Sequence, residues 1–169
     1  MKKDGFKVGD KVVYPRHGVG EIKEIKKKTV AGIETQVLEI VIAESGMKLT
    51  VPVDHAYVNG LRKVLDKKGV NKVYEILRKR QGKIELQTWN RRFREYSQKI
   101  NTGSVYEIAE VLRDLCVLSS DKELSFGEKK MLDTAQHLLV NEIAIAKARP
   151  AERVKTELKE FFANKNLFG

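Results

Sequence analysis

The chain has 169 residues, 41% hydrophobic and 33% charged. That mix suits one ordinary folded domain or two small ones with a highly charged surface, and argues against a wholly disordered chain. Its 33 Lys and Arg outnumber 23 Asp and Glu, a formal net charge of +10, which favours an anionic partner such as nucleic acid or an anionic membrane face.

Residues 6–53 read as β. Val8, Val12 and Tyr14 alternate with polar residues, and Pro15-Arg16-His17-Gly18 is a turn signal. Val19 to Lys28 is a second strand in which Ile22 and Ile25 can share a face only through a bulge. Ala31-Gly32 fits a hairpin tip. Val37 to Ile42 is apolar on both faces, the pattern of a central strand. After a turn at Glu44-Ser45-Gly46, the residues Met47, Leu49, Val51 and Val53 alternate with Lys48, Thr50 and Pro52. Pro52 lacks an N–H and belongs at a strand end or edge. Four or five short strands in this space predict a small, bent sheet or barrel.

From residue 67 the period becomes helical. Val70, Val73, Tyr74 and Leu77 form one stripe; Trp89, Phe93, Tyr96 and Ile100 form another. Ser104-Val105-Tyr106-Glu107 and Ser125-Phe126-Gly127-Glu128 each fit a capping box. Val105, Ile108, Ala109, Leu112, Leu115 and Cys116 follow the first box. Met131, Leu132, Ala135, Leu138, Leu139 and Ile143 follow the second. Pro150 is placed to start a last helix. The prediction is an α+β chain of two domains, a β-sheet domain over 1–66 and an all-α bundle of about five helices over 67–169.

The charge is uneven. Residues 1–30 carry net +5 and residues 76–100 net +6, whereas 31–75 balance and 101–169 sum to −1. Within the second patch, Thr88-Trp89-Asn90-Arg91-Arg92-Phe93-Arg94-Glu95-Tyr96 joins the single Trp to three arginines. Cations serve phosphate oxygens, and planar groups stack on bases or wedge between steps. The aromatic stripe equally fits a helix core, so both readings stand at this point. Arg91 and Arg94 face away from Trp89 and point to solvent on either reading, and Lys129-Lys130 can extend the patch.

Other chemistry finds no footing. There is no phosphate-loop, H-E-x-x-H or G-x-S-x-G pattern. His17, His55, His137 and Cys116 have no zinc spacing, and one cysteine permits no internal disulfide. No apolar run approaches the roughly 18 residues that span a bilayer, and no signal-peptide core is seen. The chain therefore reads as a cytoplasmic non-enzyme without metal or cofactor.

The run from Phe6 to Gly20, Phe6-Lys7-Val8-Gly9-Asp10-Lys11-Val12-Val13-Tyr14-Pro15-Arg16-His17-Gly18-Val19-Gly20, resembles the opening of the CarD/CdnL family of bacterial transcription regulators. Thr88-Trp89-Asn90-Arg91-Arg92-Phe93 and Leu124-Ser125-Phe126-Gly127-Glu128-Lys129-Lys130-Met131-Leu132 resemble its helical signatures. The resemblance implies a Tudor-like module that docks on the RNA polymerase β subunit. It also implies a helical domain that holds the promoter open complex at the upstream edge of the bubble, reading the minor groove with little sequence preference. On that basis Trp89, Arg91, Arg92, Arg94, Lys129 and Lys130 are DNA-binding candidates, and Lys28, Lys48 and Thr50 polymerase-binding candidates. Thr50 stands where some members carry a basic residue. A monomer associated with the nucleoid through polymerase is expected. The competing reading is a sequence-tolerant module, RNA- or ribosome-associated, with no polymerase partner.

Overall fold

The computed structural model describes residues 5–79 and 89–162. The chain divides into two compact units, Met1–Val64 and Leu65–Gly169.

The first unit is a five-stranded antiparallel sheet of β1 (Lys11–Tyr14), β2 (Gly18–Val30), β3 (Ile33–Ile42), β4 (Lys48–Pro52) and β5 (Arg62–Lys63), in the order β4-β3-β2-β1-β5. A short helix, α1 (Val53–Ala56), follows β4. The β2–β3 hairpin turns at Ala31 and Gly32, with φ of 52° and 77°. A two-residue hairpin loop of this kind needs positive φ at both positions. Pairing along β2 slips between Ile22 and Glu24, so Lys23 has no partner on β3. This is the bulge that Ile22 and Ile25 require: Ile22 meets Ile40, and Ile25 meets Leu38, both on the core face. The β3 strand is paired on both sides, and Pro52 closes the edge strand β4. Val53, read as the last residue of an alternating strand, instead opens α1, because Pro52 ends the ladder and its fixed φ suits a helix start. The core gathers Val12, Ile22, Leu38, Ile40, Ile42, Val51, Ala56 and Leu61.

The second unit holds α2 (Lys67–Arg78), α3 (Trp89–Asn101), α4 (Val105–Asp121), α5 (Phe126–Lys147) and α6 (Ala151–Lys159). Asp66 caps α2, its Oδ1 accepting the Gly69 N–H at 2.8 Å. Its core is built on Leu112 and Leu115 of α4, Leu132, Leu139 and Ile143 of α5, and Leu158 of α6, all fully buried. The α6 helix is tied back by a polar cluster. Glu157 receives the Tyr74 hydroxyl at 3.0 Å and the Lys147 ammonium at 3.1 Å. Cys116 is buried, and that burial pushes its thiol well above the ordinary range.

The two predicted capping boxes fare differently. Ser125 and Glu128 form theirs in full at the start of α5. Ser104 makes no side-chain cap on α4. There the Thr102 hydroxyl accepts the Ser104 N–H at 3.2 Å, the role a capping box gives the Glu107 carboxylate, and it bonds that carboxylate as well. No helix among the described residues is long and apolar enough to cross a membrane.

Candidate functional site

The α3 helix begins at Trp89, whose side chain lies outside the described part, as do residues Arg80, Lys83 and Thr88. Its inward face differs from the predicted stripe. Tyr96 and Ile100 are buried, but Phe93 is 47% exposed. The third inward position belongs to Arg92, one turn before Tyr96, with only 8% of its side chain exposed. A guanidinium on a long apolar stem can fill such a position when a carboxylate meets it. Here the partner is Glu128 of α5, 3.3 Å away and 3% exposed. Arg92, a DNA-binding candidate on the resemblance, is thus buried against Glu128 and does not share the exposed surface of Arg91 and Arg94.

Arg91 and Arg94 remain outside. The Arg91 side chain is 72% exposed and lies 3.8 Å from Glu95, an (i, i+4) pair of little energetic weight at the surface. On α5, Lys129 and Lys130 are exposed, with Lys129 lying 3.7 Å from Glu123. The Arg92–Glu128 contact joins the first turns of α3 and α5. Arg91 and Arg94 thus lie on the first two turns of α3 and Lys129 and Lys130 on the first two turns of α5, the helices linked by that one pair. Phe126, 84% exposed, stands on the same first turn of α5. Sequence reasoning passed over it because a capping box accounts for its neighbours and leaves the residue between them unread.

Glu128 holds this junction together. Burial raises its pKa, but the Ser125 backbone N–H at 3.0 Å, the Ser125 hydroxyl and the Lys122 ammonium at 3.2 Å outweigh it, and the carboxyl titrates below the ordinary value of 4.5. Glu157 is lowered likewise, with Lys147 overcoming its desolvation. A depressed folded-state pKa means the unfolded chain binds more protons near pH 4. Stability of the helical unit is therefore expected to be full above about pH 4.5 and to fall as pH drops through the lowered folded values. Urea midpoints measured across pH 3–6 check this, and Glu128→Gln should flatten part of the fall.

In the β unit, register places the docking candidates on one face. Lys28 pairs with Thr35, Thr50 with Glu39, and Lys48 with Val41. Thr35, Glu39 and Val41 alternate along β3 with Leu38, Ile40 and Ile42 of the core, so all three candidates lie on the opposite face. Much of the local charge is already neutralised. Glu21 takes Lys11 at 3.3 Å and Lys23 at 2.6 Å, and Lys26 bridges Glu24 at 3.4 Å and Glu39 at 3.3 Å. Hydrogen bonds from Lys23 and Lys11 lower the Glu21 pKa, and those to Glu39 and Glu24 raise that of Lys26. Lys28 and Lys48 form no ion pair among the described residues. No group of three metal-ligating side chains occurs among the described residues.

Comparison with known proteins gives these surfaces a setting. The family described as "CarD-like/TRCF RID domain" matches residues 6–65, and "CarD, C-terminal domain" matches residues 72–159. A curated relative in Bacillus subtilis (strain 168), named "Putative transcription factor YdeB", is 32% identical over 151 residues, spanning 89% of this chain and 98% of that protein. The solution structure of the 72-residue N-terminal domain of Myxococcus xanthus CarD is 36% identical, covering 35% of this chain and 79% of that one, with a TM-score of 0.32. A second solved structure, CdnLNt from Myxococcus xanthus, is 36% identical over 40% of this chain and 94% of that one, with a TM-score of 0.33. The chain therefore belongs to the CarD family of RNA-polymerase-interacting transcription regulators.

Proposed function

We propose that the β unit docks on the RNA polymerase β subunit and that the helical unit stabilises the promoter open complex at the upstream edge of the melted DNA. The observation that carries the DNA half is the junction of α3 and α5. Arg91 and Arg94 are exposed near the start of α3, which Trp89 opens, and Lys129 and Lys130 near the start of α5, the two helices being linked there by the Arg92–Glu128 pair. In this reading Trp89 is the apolar wedge, and the four cations contact phosphates, which position the protein without reading sequence. Arg92 supports the junction from within.

The mechanism is a population shift. Melting unstacks base pairs and bends the duplex, so a wedge at the bubble edge meets a geometry that closed DNA lacks. The open form gains by the difference in affinity between the two states and by nothing more. Docking on polymerase raises the effective concentration at the promoter, so the contact with free DNA need only be weak. The protein acts as a monomer and not as an enzyme, without cofactor, and sits on the nucleoid with polymerase. Whether a promoter is activated or repressed follows from its slow step: one limited by opening gains, one limited by escape loses.

The test is open-complex lifetime with this chain's own polymerase, with and without the protein. A longer lifetime supports the reading. Binding to RNA or DNA with no change in lifetime and no polymerase capture favours the sequence-tolerant module instead. On the docking side, Lys28→Glu is expected to weaken polymerase binding about two- to tenfold, more at low salt than at high, as for a charge at an interface rim. Binding measured at two ionic strengths checks this; unchanged affinity removes Lys28 from the interface.

A further inference from the structure

We infer that the outer face of α2 is a second nucleic-acid surface of the helical unit, a cationic ridge that lies along the phosphate backbone of duplex DNA. This face takes no part in the functional reading above and depends neither on Trp89 nor on polymerase.

The ridge consists of Lys67, Lys68, Lys72, Arg78 and Lys79, with Asn71 and Glu75 among them, all exposed. At about 100° per residue these seven fall within an arc of about 140°, and Val70, Val73 and Leu77 point into the core on the other side. Five cations thus share one helix face with a single carboxylate. Charge balances drawn over 31–75 and 76–100 divide the helix at its middle and hide this. None of the five forms an ion pair among the described residues. Elsewhere Lys23, Lys26, Lys99 and Lys147 each meet a carboxylate at 3.3 Å or less. The margins of the ridge rest on aromatic rings, which seat a cation without cancelling its charge. The Lys72 ammonium lies 4.5 Å from the Tyr106 centroid and the Arg78 guanidinium 5.1 Å from that of Phe161.

Folding does not ask for this arrangement. The first turn of α2 has no acidic residue and holds Lys67 and Lys68, where the helix dipole favours anions. Lys68 and Lys72 are like charges four residues apart, which also costs the helix stability. The chemistry of the face selects its partner. No exposed large hydrophobic residue of the described part lies on α2. Protein interfaces are built on aromatic and apolar anchors and are depleted in Lys, and single strands are bound by stacking bases on aromatic side chains. A stiff row of point charges with neither suits duplex phosphates, which carry one charge per about 1.7 Å of axis. The twelve residues of α2 extend about 18 Å. The ridge is also separate from the cations of α3. The Lys72–Tyr106 and Arg113–Ile76 contacts run α2 beside α4 in the same direction, and Tyr96–Asp114 and Lys99–Glu110 run α3 in the opposite one. The first turns of α2 and α3 therefore lie toward opposite ends of α4.

The test is anisotropy of a labelled mixed-sequence duplex of about 30 base pairs with the full chain, between about 50 and 200 mM salt. Lys67→Gln, Lys68→Gln and Lys72→Gln together are expected to weaken binding about tenfold or more at the low end and to reduce the log–log salt slope by about two to three. Melting of the helical unit should hold or rise, since the removed charges oppose the helix. Lys67→Arg, Lys68→Arg and Lys72→Arg together should stay within about twofold of the unmodified protein. Lys7→Gln, Lys27→Gln and Lys63→Gln, exposed on the β unit, remove the same net charge and should leave the slope unchanged.

An unchanged slope in the α2 variant overturns the inference, as does an equal loss in the β-unit variant. So do absence of duplex binding by the unmodified protein, tighter binding to single-stranded RNA than to duplex, and a loss confined to polymerase capture. If the triple variant fails to fold, Lys68→Gln decides alone, a slope reduced by about one supporting the inference and an unchanged slope overturning it. Failure of the unmodified protein to lengthen the open-complex lifetime ends the functional reading and leaves the duplex series to decide on α2.

Discussion

Trp89→Ala is expected to abolish most of the lengthening of open-complex lifetime while leaving the helical unit folded. A side chain stacked on or wedged between bases contributes roughly 1–3 kcal/mol, and about 1.4 kcal/mol is a factor of ten in an equilibrium. The loss should therefore be about tenfold or more in the ratio of open to closed complexes at saturating protein. Folding should be spared because Trp89 is the first residue of α3 and the buried residues of that helix, Arg92, Tyr96 and Ile100, all follow it. Lifetime assays paired with thermal melts check both halves. A folded variant that stabilises equally well ends the wedge assignment, and an unfolded one makes Trp89 a core residue.

The second large effect lies in the β unit. Gly20→Ala is expected to destabilise the Met1–Val64 unit by roughly 1–3 kcal/mol and to weaken polymerase binding, with the helical unit unaffected. A Cβ at Gly20 would lie 2.8 Å from Ile40 Cγ2, 2.9 Å from the Val41 carbonyl oxygen and 3.2 Å from Ile42 Cδ1. The Ile42 side chain can yield, but the carbonyl belongs to the backbone of β3, so the ladder itself must move. Overpacking of this kind costs roughly 1–3 kcal/mol. A unit of this size has only about 3–10 kcal/mol in total, and small domains bury too little surface to absorb the loss. Chemical denaturation of the isolated 1–64 segment and of full-length protein, beside a polymerase capture assay, reads the effect. Two melting transitions of which only one shifts is the expected pattern.

Much of the fold was legible because the pattern residues serve local geometry. Ile22 and Ile25 announced the bulge, Ala31-Gly32 the hairpin tip, Pro52 the edge, and Ser125 with Glu128 the start of α5. The failures came where an unexpected side-chain partner competed. Ser104 had the sequence of a cap, yet Thr102, two residues earlier, accepts the Ser104 N–H and bonds the Glu107 carboxylate that would have accepted it. The site was half legible. Residue type and clustering singled out Arg91, Arg94, Lys129 and Lys130, which are exposed. They could not reveal that Arg92, chemically identical to its neighbours, faces a carboxylate 36 residues away. Helical phase was the available signal: Arg92 lies one turn before Tyr96 and two before Ile100. Reading the stripe from apolar residues alone put Phe93 there instead.

The slip of register beside Lys23 has a consequence for which side of the sheet carries charge. A strand alternates with period two, so one unpaired residue reverses the parity of everything after it. Beyond the bulge, Ile25 faces the core and Lys26 and Lys28 the other side. In an uninterrupted β2, Lys26 and Lys28 would fall on the core side and Ile25 would face outward. The bulge is therefore a phase setting: the cations at the far end of β2 reach the same face as Lys48 and Thr50 only because a residue several positions earlier was left out of the count.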